Sequence, residues 1–583
     1  MTEFGVWAPE RDRIRLRLGS GSRSDADIVA MSRSEDGWWR ADVAGAVAGT
    51  DYAFLIDDDD KGYPDPRSRW QPGGVHEASR IYDHDEFRWT DHGWTGRALP
   101  GAVIYELHVG TFTPDGTFDA AIDRLDHLAD LGVDFVELLP LNAFNGDHGW
   151  GYDGVGWYAP HEPYGGPDGL KRFVDACHAS GLAVLIDAVY NHFGPSGAYA
   201  PMFAPVLSSG ANDWGQSLNL DGHHSDGVRR FVIDSALAWL RDYHADGLRL
   251  DAVHTLVDHS ATHLLEQMAA EVDALATHLG RPLSLIAESD RNDVRLVTSR
   301  DAHGYGLTAQ WDDDIHHALH ALLTGERQGY YDDFGEISGL AKVWREAFFH
   351  NGTYSTFRGR RHGRPIDRAT TPGYRFIAYV QDHDQIGNRA AGDRLTATLS
   401  PALLRVAAVL LFTSPFTPML FMGDEWAAST PWQYFTGHPE PELGAAVANG
   451  RRAEFARHGW RPEDVPDPQD PATFSRSKLD WDELELREHA EMLTVYRQLI
   501  ALRRRYPELS DPRLDRVDVT YGEHHVVIHR GRCLVVANLG SEPVTVDVPG
   551  NGVETLYATS ADANTGSTPV RLPAEAAAVV RLV

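Results

Sequence analysis

The sequence predicts an α/β protein: a (β/α)8 TIM barrel with one β-sandwich before it and another after it. Three observations carry this. Short apolar runs without clean alternation recur through the middle of the chain, as parallel strands buried on both faces require. Four of these runs end in acidic or histidine residues, namely Ala183–His192, Gly247–His254, Ser284–Ser289 and Tyr379–Asn388. In a parallel barrel such ends collect on one face, where the active site sits. The two flanks instead show short strand-like runs between turn residues, the pattern of antiparallel sandwiches.

Taken in order, residues 1–90 form the first sandwich, with strands at Arg13–Leu18, Trp38–Val43 and Tyr52–Ile56. Turns are read at Gly19–Ser24 and Asp57–Asp65. Trp38 and Trp39 read as core, because large aromatics dominate cores. A linker leads to the barrel, 101–507, which starts with a strand at Val103–Val109. Ile122, Leu125, Leu128 and Ala129 then recur at helical spacing, and Gly132 stops the helix. Further strands are read at Phe135–Pro140, Ala183–Tyr190, Leu248–Leu250, Ser284–Ser289, Thr308–Trp311, Phe376–Gln381 and Pro418–Met422. The long, Gly-, Tyr- and Trp-rich segment 141–182 reads as inserted loops on the catalytic face. Glu483–Tyr506 closes the barrel as a helix. Residues 508–583 form the second sandwich, with strands at Arg516–Thr520, His525–Arg530, Cys533–Leu539, Val544–Val548 and Ala577–Leu582.

At 583 residues the chain accommodates several domains, and 42% hydrophobic and 10% aromatic residues supply sizeable cores. The formal charge of −32 argues against nucleic acid and anionic membranes, which need basic patches. It suits a neutral polyhydroxy substrate. Cys177 and Cys533 are the only cysteines, so no disulfide framework or cysteine-based metal site is possible. Two buried thiols and an N-terminus without a secretion signal point to the cytoplasm.

The chemistry is written in the strand ends. Leu248 and Leu250 alternate with Arg249 and Asp251, so the two charged side chains share a face. A fixed guanidinium beside Asp251 favours its anion, the form that attacks carbon. Glu288 follows Leu285-Ile286-Ala287, whose apolar surroundings raise a carboxyl toward a usable acid. Asp251 and Glu288 end consecutive strands, which are neighbours in a barrel. Such a pair is what glycoside hydrolysis requires.

The four stretches resemble, in order and spacing, the signature regions of the α-amylase superfamily, glycoside hydrolase family 13. That resemblance implies Asp251 as nucleophile, Glu288 as general acid/base and Asp384 as the carboxylate that stabilises the transition state. It implies substrate contacts from Tyr152, His192, Arg249, His383 and Gln385. Asp187 and Asn191 read as framework. The family mostly has Asn where Asp382 stands, which leaves Asp382 without a role. A metal on Asp382-His383-Asp384 is disfavoured, since neighbours on a strand face opposite ways. Calcium-binding relatives carry a His at the position of Thr255, so no metal or cofactor is expected. Asp312–Asp314 with His316 and His320 reads as a capped helix start.

Gly352–Gly363, Gln381–Arg389 and Phe421–Gly437 further resemble the maltooligosyltrehalose trehalohydrolases within that superfamily, and the similarity runs end to end. This implies a maltooligosyltrehalose substrate, a partner synthase that makes it, and a monomer or weak homo-oligomer. Two alternatives stay open: a glycogen branching or debranching enzyme, and a non-catalytic glycan-binding protein.

Overall fold

The computed structural model describes residues 1–19, 28–212, 214–457, 461, 464–549 and 552–583. Its centre is a closed barrel of eight parallel strands in sequence order. They are β1 (Ile104–Leu107), β2 (Phe135–Leu138), β3 (Ala183–Ala188), β4 (Gly247–Leu250), β5 (Ser284–Ala287), β6 (Ala309–Trp311), β7 (Phe376–Ala378) and β8 (Thr417–Phe421). β8 pairs back onto β1 with Phe421 opposite Glu106, which closes the ring. All eight strands lie where apolar runs predict them. The interior is filled by Ile104, Phe135, Leu185, Ile286, Ile377 and Met419, so the barrel is a packed core rather than a pore.

Gly247 lets β4 fit. A Cβ there would stand 2.4 Å from the Ser284 carbonyl oxygen and 2.7 Å from Leu185. Any larger residue would push β4 away from β5, and with it Asp251 from Glu288. The segment 141–182 is only partly insertion. Asn142–Ala143 pairs with Gly156–Pro160, but Gly166–Ala179 is a 14-residue helix between β2 and β3. Its opening Gly165-Gly166-Pro167 reads as loop, yet proline is at home in a first helical turn, where its missing N–H is not needed.

The N-terminal strands form two sheets. Thr2–Trp7, Trp38–Val43 and Ser32–Arg33 make one; Ile14–Leu18 and Asp51–Ile56 centre the other. Trp39 is buried between them with Phe4, Leu16 and Phe54. Phe203, from the loop after β3, enters that same core. The Gly19–Ser24 turn lies, beyond Gly19, outside the described residues. At the C-terminus, Val517–Tyr521, His525–Arg530, Cys533–Asn538, Ala576–Leu582 and Val553–Ala558 build a five-stranded antiparallel sheet. Val544–Val546 and Val570–Leu572 pair as a two-stranded one. Val553–Ala558 and Val570–Leu572 are additions to the sequence reading. Cys177 and Cys533 are both buried free thiols. Among the described residues, no helix is long and apolar enough to cross a membrane.

The linker is tied to the barrel floor by a buried ionic chain. Asp91 Oδ2 accepts from His178 Nδ1 at 2.9 Å and from His244 Nδ1 at 2.8 Å, and His178 Nε2 donates to Asp246 Oδ2 at 3.0 Å. Burial works against the His178 cation, but Asp246 and Asp91 outweigh it and raise its pKa above the ordinary value. Replacing His178 with Ala removes the cation shared by two buried carboxylates, which keep Arg281 and His244 as partners, and a loss of roughly 1.5–3 kcal/mol is expected. A raised folded pKa means the cation's contribution is complete below about pH 6.5 and fades as pH rises through the folded value. The gap in unfolding midpoint between wild type and His178→Ala should therefore narrow in alkaline buffer. A gap that is constant from pH 6 to pH 10 would contradict this reading.

Candidate active site

The sequence-predicted residues converge on the C-terminal mouth of the barrel. β4 sends Leu248 and Leu250 into the outer core and leaves Arg249 pointing inward, fully buried. Directly after β4 the chain turns sharply. Ala252 adopts a left-handed φ of 39°, a strained conformation for a residue with a Cβ. The turn aims the Ala252 N–H at Glu288 Oε2, 2.6 Å away. The loop that carries Asp251 is thus hydrogen-bonded to the neighbouring carboxyl.

A continuous chain of polar contacts runs round the mouth from β1 to β5. His383 Nδ1 donates to Glu106 Oε1 at 2.5 Å, and its Nε2 lies 2.7 Å from the Tyr152 hydroxyl. Tyr152 donates in turn to Asp187 Oδ2 at 2.7 Å. Arg249 Nη1 contacts both Asp187 oxygens, at 3.0 and 2.9 Å, and Asp251 Oδ1 at 2.5 Å. Its Nη2 lies 3.8 Å from Glu288 Oε2. The Trp311 ring packs 4.5 Å from the guanidinium carbon. Arg249 is therefore the hub: it hydrogen-bonds Asp187 and Asp251, and Glu288 lies within ion-pair range of its Nη2. The side chains of Asp251, Glu288 and Asp384 keep 13%, 17% and 43% of their surface, while Arg249 keeps 0%, so the three carboxyl groups face the cleft and the hub does not.

Asn191, read as framework, reaches further than expected. Its Nδ2 donates to Asp251 Oδ2 at 2.6 Å, so both oxygens of Asp251 are held. His192 is 7% exposed; its Nε2 donates to the Tyr152 carbonyl at 3.0 Å and its Nδ1 contacts Asn191 Oδ1. In this state His192 orients the loops of Tyr152 and Asn191. Thr255 donates to the Ala252 carbonyl at 2.7 Å and so braces the same turn.

The stretch after β7 differs from its sequence reading. His383–Gly387 is a short helix rather than strand, so the argument that neighbours face opposite ways does not apply. Asp382 is its N-cap, accepting from the N–H groups of Asp384 at 2.9 Å and Gln385 at 3.1 Å. This gives Asp382 the role the sequence left blank. The Gln385 side chain folds back onto the Asp382 carboxyl when its amide nitrogen faces it. His383 Nε2 lies 3.6 Å from Asp384 Oδ2, and Asn388 Nδ2 donates to Asp384 Oδ1 at 3.3 Å.

Burial dominates the electrostatics of the site. Burial pushes the Glu288 carboxyl up; Arg249 opposes and Asp251 adds to it, leaving it at about 8. Burial disfavours the His383 cation, but Glu106, Asp384 and Asp382 outweigh it and lift its pKa to about 10. His383 therefore donates from both nitrogens at neutral pH, consistent with its two short contacts. Burial pushes Asp187 up to about 7 against the pull of Arg249. Burial and Glu106 together push Glu137, opposite Glu106 on β2, well above the carboxylate range.

Glu106 and Glu137 escape a reading based on strand ends, because each sits within an apolar strand. An acid flanked by apolar residues in a short strand is the signal that exposes them. Large apolar side chains left in solvent mark loops beyond the barrel: Trp214 at 51%, Tyr330 at 38%, Tyr354 at 59% and Phe357 at 51% exposed. Trp214 lies nearly parallel to the His192 ring, 6.1 Å away, and Tyr330 meets Phe357 edge-on.

The chain matches the model of the alpha-amylase catalytic domain over residues 79–214 and that of DUF3459, a domain of unknown function, over 512–579. It is 57% identical to the malto-oligosyltrehalose trehalohydrolase of Arthrobacter ramosus, over 99% of each chain. It is 56% identical to the enzyme of that name from Mycobacterium tuberculosis, over 94% of each. A Salmonella typhimurium crystal structure, described as that of a candidate alpha amylase, superimposes with a TM-score of 0.90 at 38% identity, covering 99% of this chain and 97% of that one. The barrel, its ring of carboxyl groups and this end-to-end identity lead to one conclusion: the chain belongs to the malto-oligosyltrehalose trehalohydrolases, glycoside hydrolases of the α-amylase superfamily.

Proposed function

We propose that the protein hydrolyses the α-1,4 bond joining a maltooligosyl chain to its terminal trehalose, releasing trehalose with retention at the anomeric carbon. The observation that carries this is the convergence of Asp251 and Glu288, from adjacent strands, on one buried arginine that hydrogen-bonds the first and lies 3.8 Å from the second. Asp251, hydrogen-bonded by Arg249 and aimed by Asn191, attacks the anomeric carbon and forms a glycosyl-enzyme. Glu288, protonated at neutral pH, gives its proton to the departing trehalose oxygen. It then takes a proton from the water that attacks the intermediate and frees Asp251. Asp384, the most exposed of the three, faces the positive charge that develops on the sugar ring. Tyr152 offers a ring face to the sugar, and His192, Arg249, His383 and Gln385 complete the sugar site directly or through the contacts above. The division into 1–90, 101–507 and 508–583 is part of this reading. So are a monomer or weak homo-oligomer, a cytoplasmic setting and a partner synthase that makes the maltooligosyltrehalose substrate.

Time-resolved proton NMR of a maltooligosyltrehalose digest tests the proposal. Free trehalose should appear together with an α-anomeric maltooligosaccharide, faster than any cut in a plain maltooligosaccharide of equal length. A site that hydrogen-bonds the bent, non-reducing trehalose unit leaves polar groups unpaired when an ordinary reducing end enters. Equal rates on both substrates would defeat the trehalose assignment, and early β-anomer would defeat retention.

The pH profile follows from Glu288. A general acid works only while protonated, so kcat/KM should hold through neutral pH and fall as pH rises through about 8. An alkaline limb that persists unchanged in Glu288→Gln, measured on a substrate whose leaving group needs no proton, would assign that limb elsewhere.

A further inference from the structure

We propose that Glu10, His223 and His224 form a binding site for a divalent transition metal of the zinc type, which clamps the N-terminal sheets to the barrel. Each of the three offers one ligand atom, and the three atoms lie within 4.8 Å of one another. His224 Nε2 is 3.9 Å from Glu10 Oε1, and the two imidazole rings are 3.9 Å apart. Two imidazole nitrogens and one carboxylate oxygen suit zinc and its neighbours rather than calcium or magnesium, which prefer oxygen alone. A fourth position is left for water.

Both halves of the group are set in place by the backbone. Glu10 sits in the turn after strand Thr2–Trp7, closed by Arg11 N–H donating to Ala8 O at 3.3 Å. Arg11 Nε also donates to Met202 O at 2.8 Å, across to the barrel loop after β3. His223 is anchored by its carbonyl, which accepts from the buried Asn219 side chain at 2.8 Å. His224 is held at a left-handed φ of 63°, uncommon for a residue with a side chain, and its ring meets Trp7 edge-on. Trp7 presses so closely on Gly227 that a Cβ there would stand 2.1 Å from the ring. The donors thus converge from the turn after an N-terminal strand and from the turn before a barrel helix, and a left-handed backbone points one of them. The positive end of helix Ser225–Asp242 opposes a cation here; Asp226 in its first turn and the net charge of −32 act the other way. None of the three residues belongs to the polar chain at the barrel mouth, so the metal acts on stability and leaves turnover alone.

The test uses the full-length protein, stripped with chelator and dialysed, then titrated with zinc chloride by calorimetry while thermal unfolding is followed in parallel. Wild type should take up one equivalent of zinc that His223→Ala and Glu10→Gln bind about 10–100-fold more weakly or not at all, at least the cost of losing an outer-shell partner. Saturating zinc should raise the wild-type Tm by about 2–4 °C and leave both variants unmoved. Magnesium should do neither, and turnover should be equal with and without zinc. Zinc uptake of the same stoichiometry and affinity in wild type and both variants would overturn the site. So would a wild type that binds no zinc, or one whose Tm does not respond to the bound ion.

Discussion

Asp251→Asn is expected to abolish turnover in a protein that still folds and still binds oligosaccharide. The amide keeps the size of the carboxylate but cannot form the glycosyl-enzyme. A loss of at least about 10²–10⁴-fold is anticipated, the scale for one catalytic group. The substitution is not silent for the fold. Both oxygens of Asp251 accept, one from Arg249 and one from Asn191. An amide must turn its NH₂ toward one of these donors, so a cost of about 1–3 kcal/mol should accompany the lost activity. Initial rates, a melting curve and a binding isotherm on the same preparation separate the two effects. A folded Asp251→Asn protein with more than about a hundredth of the wild-type rate would remove Asp251 from the nucleophile's role.

Arg249→Met should be the most damaging single change outside the carboxyl groups. It leaves Asp187 and Asp251 without their shared cation in a buried setting, which costs roughly 3–5 kcal/mol. Lysine is only a partial remedy: its ammonium could meet Asp187 and Asp251, as Nη1 alone does now, but it gives up the planar face that packs on Trp311. Arg249 pulls the Glu288 pKa down from where burial alone would set it. Its removal should therefore move the alkaline limb of any residual activity to higher pH, as well as lowering the rate by at least about a hundredfold. A residual activity whose alkaline limb stays at the wild-type pH would mean that Arg249 packs the site without setting the acid.

The strands and their chemical ends were legible because two different pressures act on them. Burial on both faces demands apolar runs, and the mouth of the barrel demands polar termini, so Ala183–His192 and Gly247–His254 carry both signals at once. Where only one pressure acts, the sequence says less. Glu106 is polar for the sake of His383, a residue 277 positions away, and nothing local announces the pairing. Helix Gly166–Ala179 opens on glycines and a proline that local chemistry assigns to a loop. Asp382 breaks the family pattern, but its cap is visible only once the chain after β7 is seen to coil into a helix. Val553–Ala558 escapes a sequence reading because only Val553 is fully buried and its pairing with Ala576–Leu582 is set by the sheet, not by its own composition.

The pairing of β8 with β1 sets a schedule for the nascent chain. Glu106 meets Phe421, roughly 300 residues later, so at about 5–20 residues per second the edge of β1 waits on the order of 15–60 s for its permanent neighbour. β2 covers the other edge early, since Phe135–Leu138 follows soon after, but the open side of the growing sheet stays a template for any extended peptide nearby. Ring closure also joins contacts that are far apart in sequence, which slows folding at a given stability. Expression at lower temperature or with chaperone support should therefore raise the soluble yield of this chain more than that of its C-terminal sheets alone, whose strands meet neighbours within tens of residues.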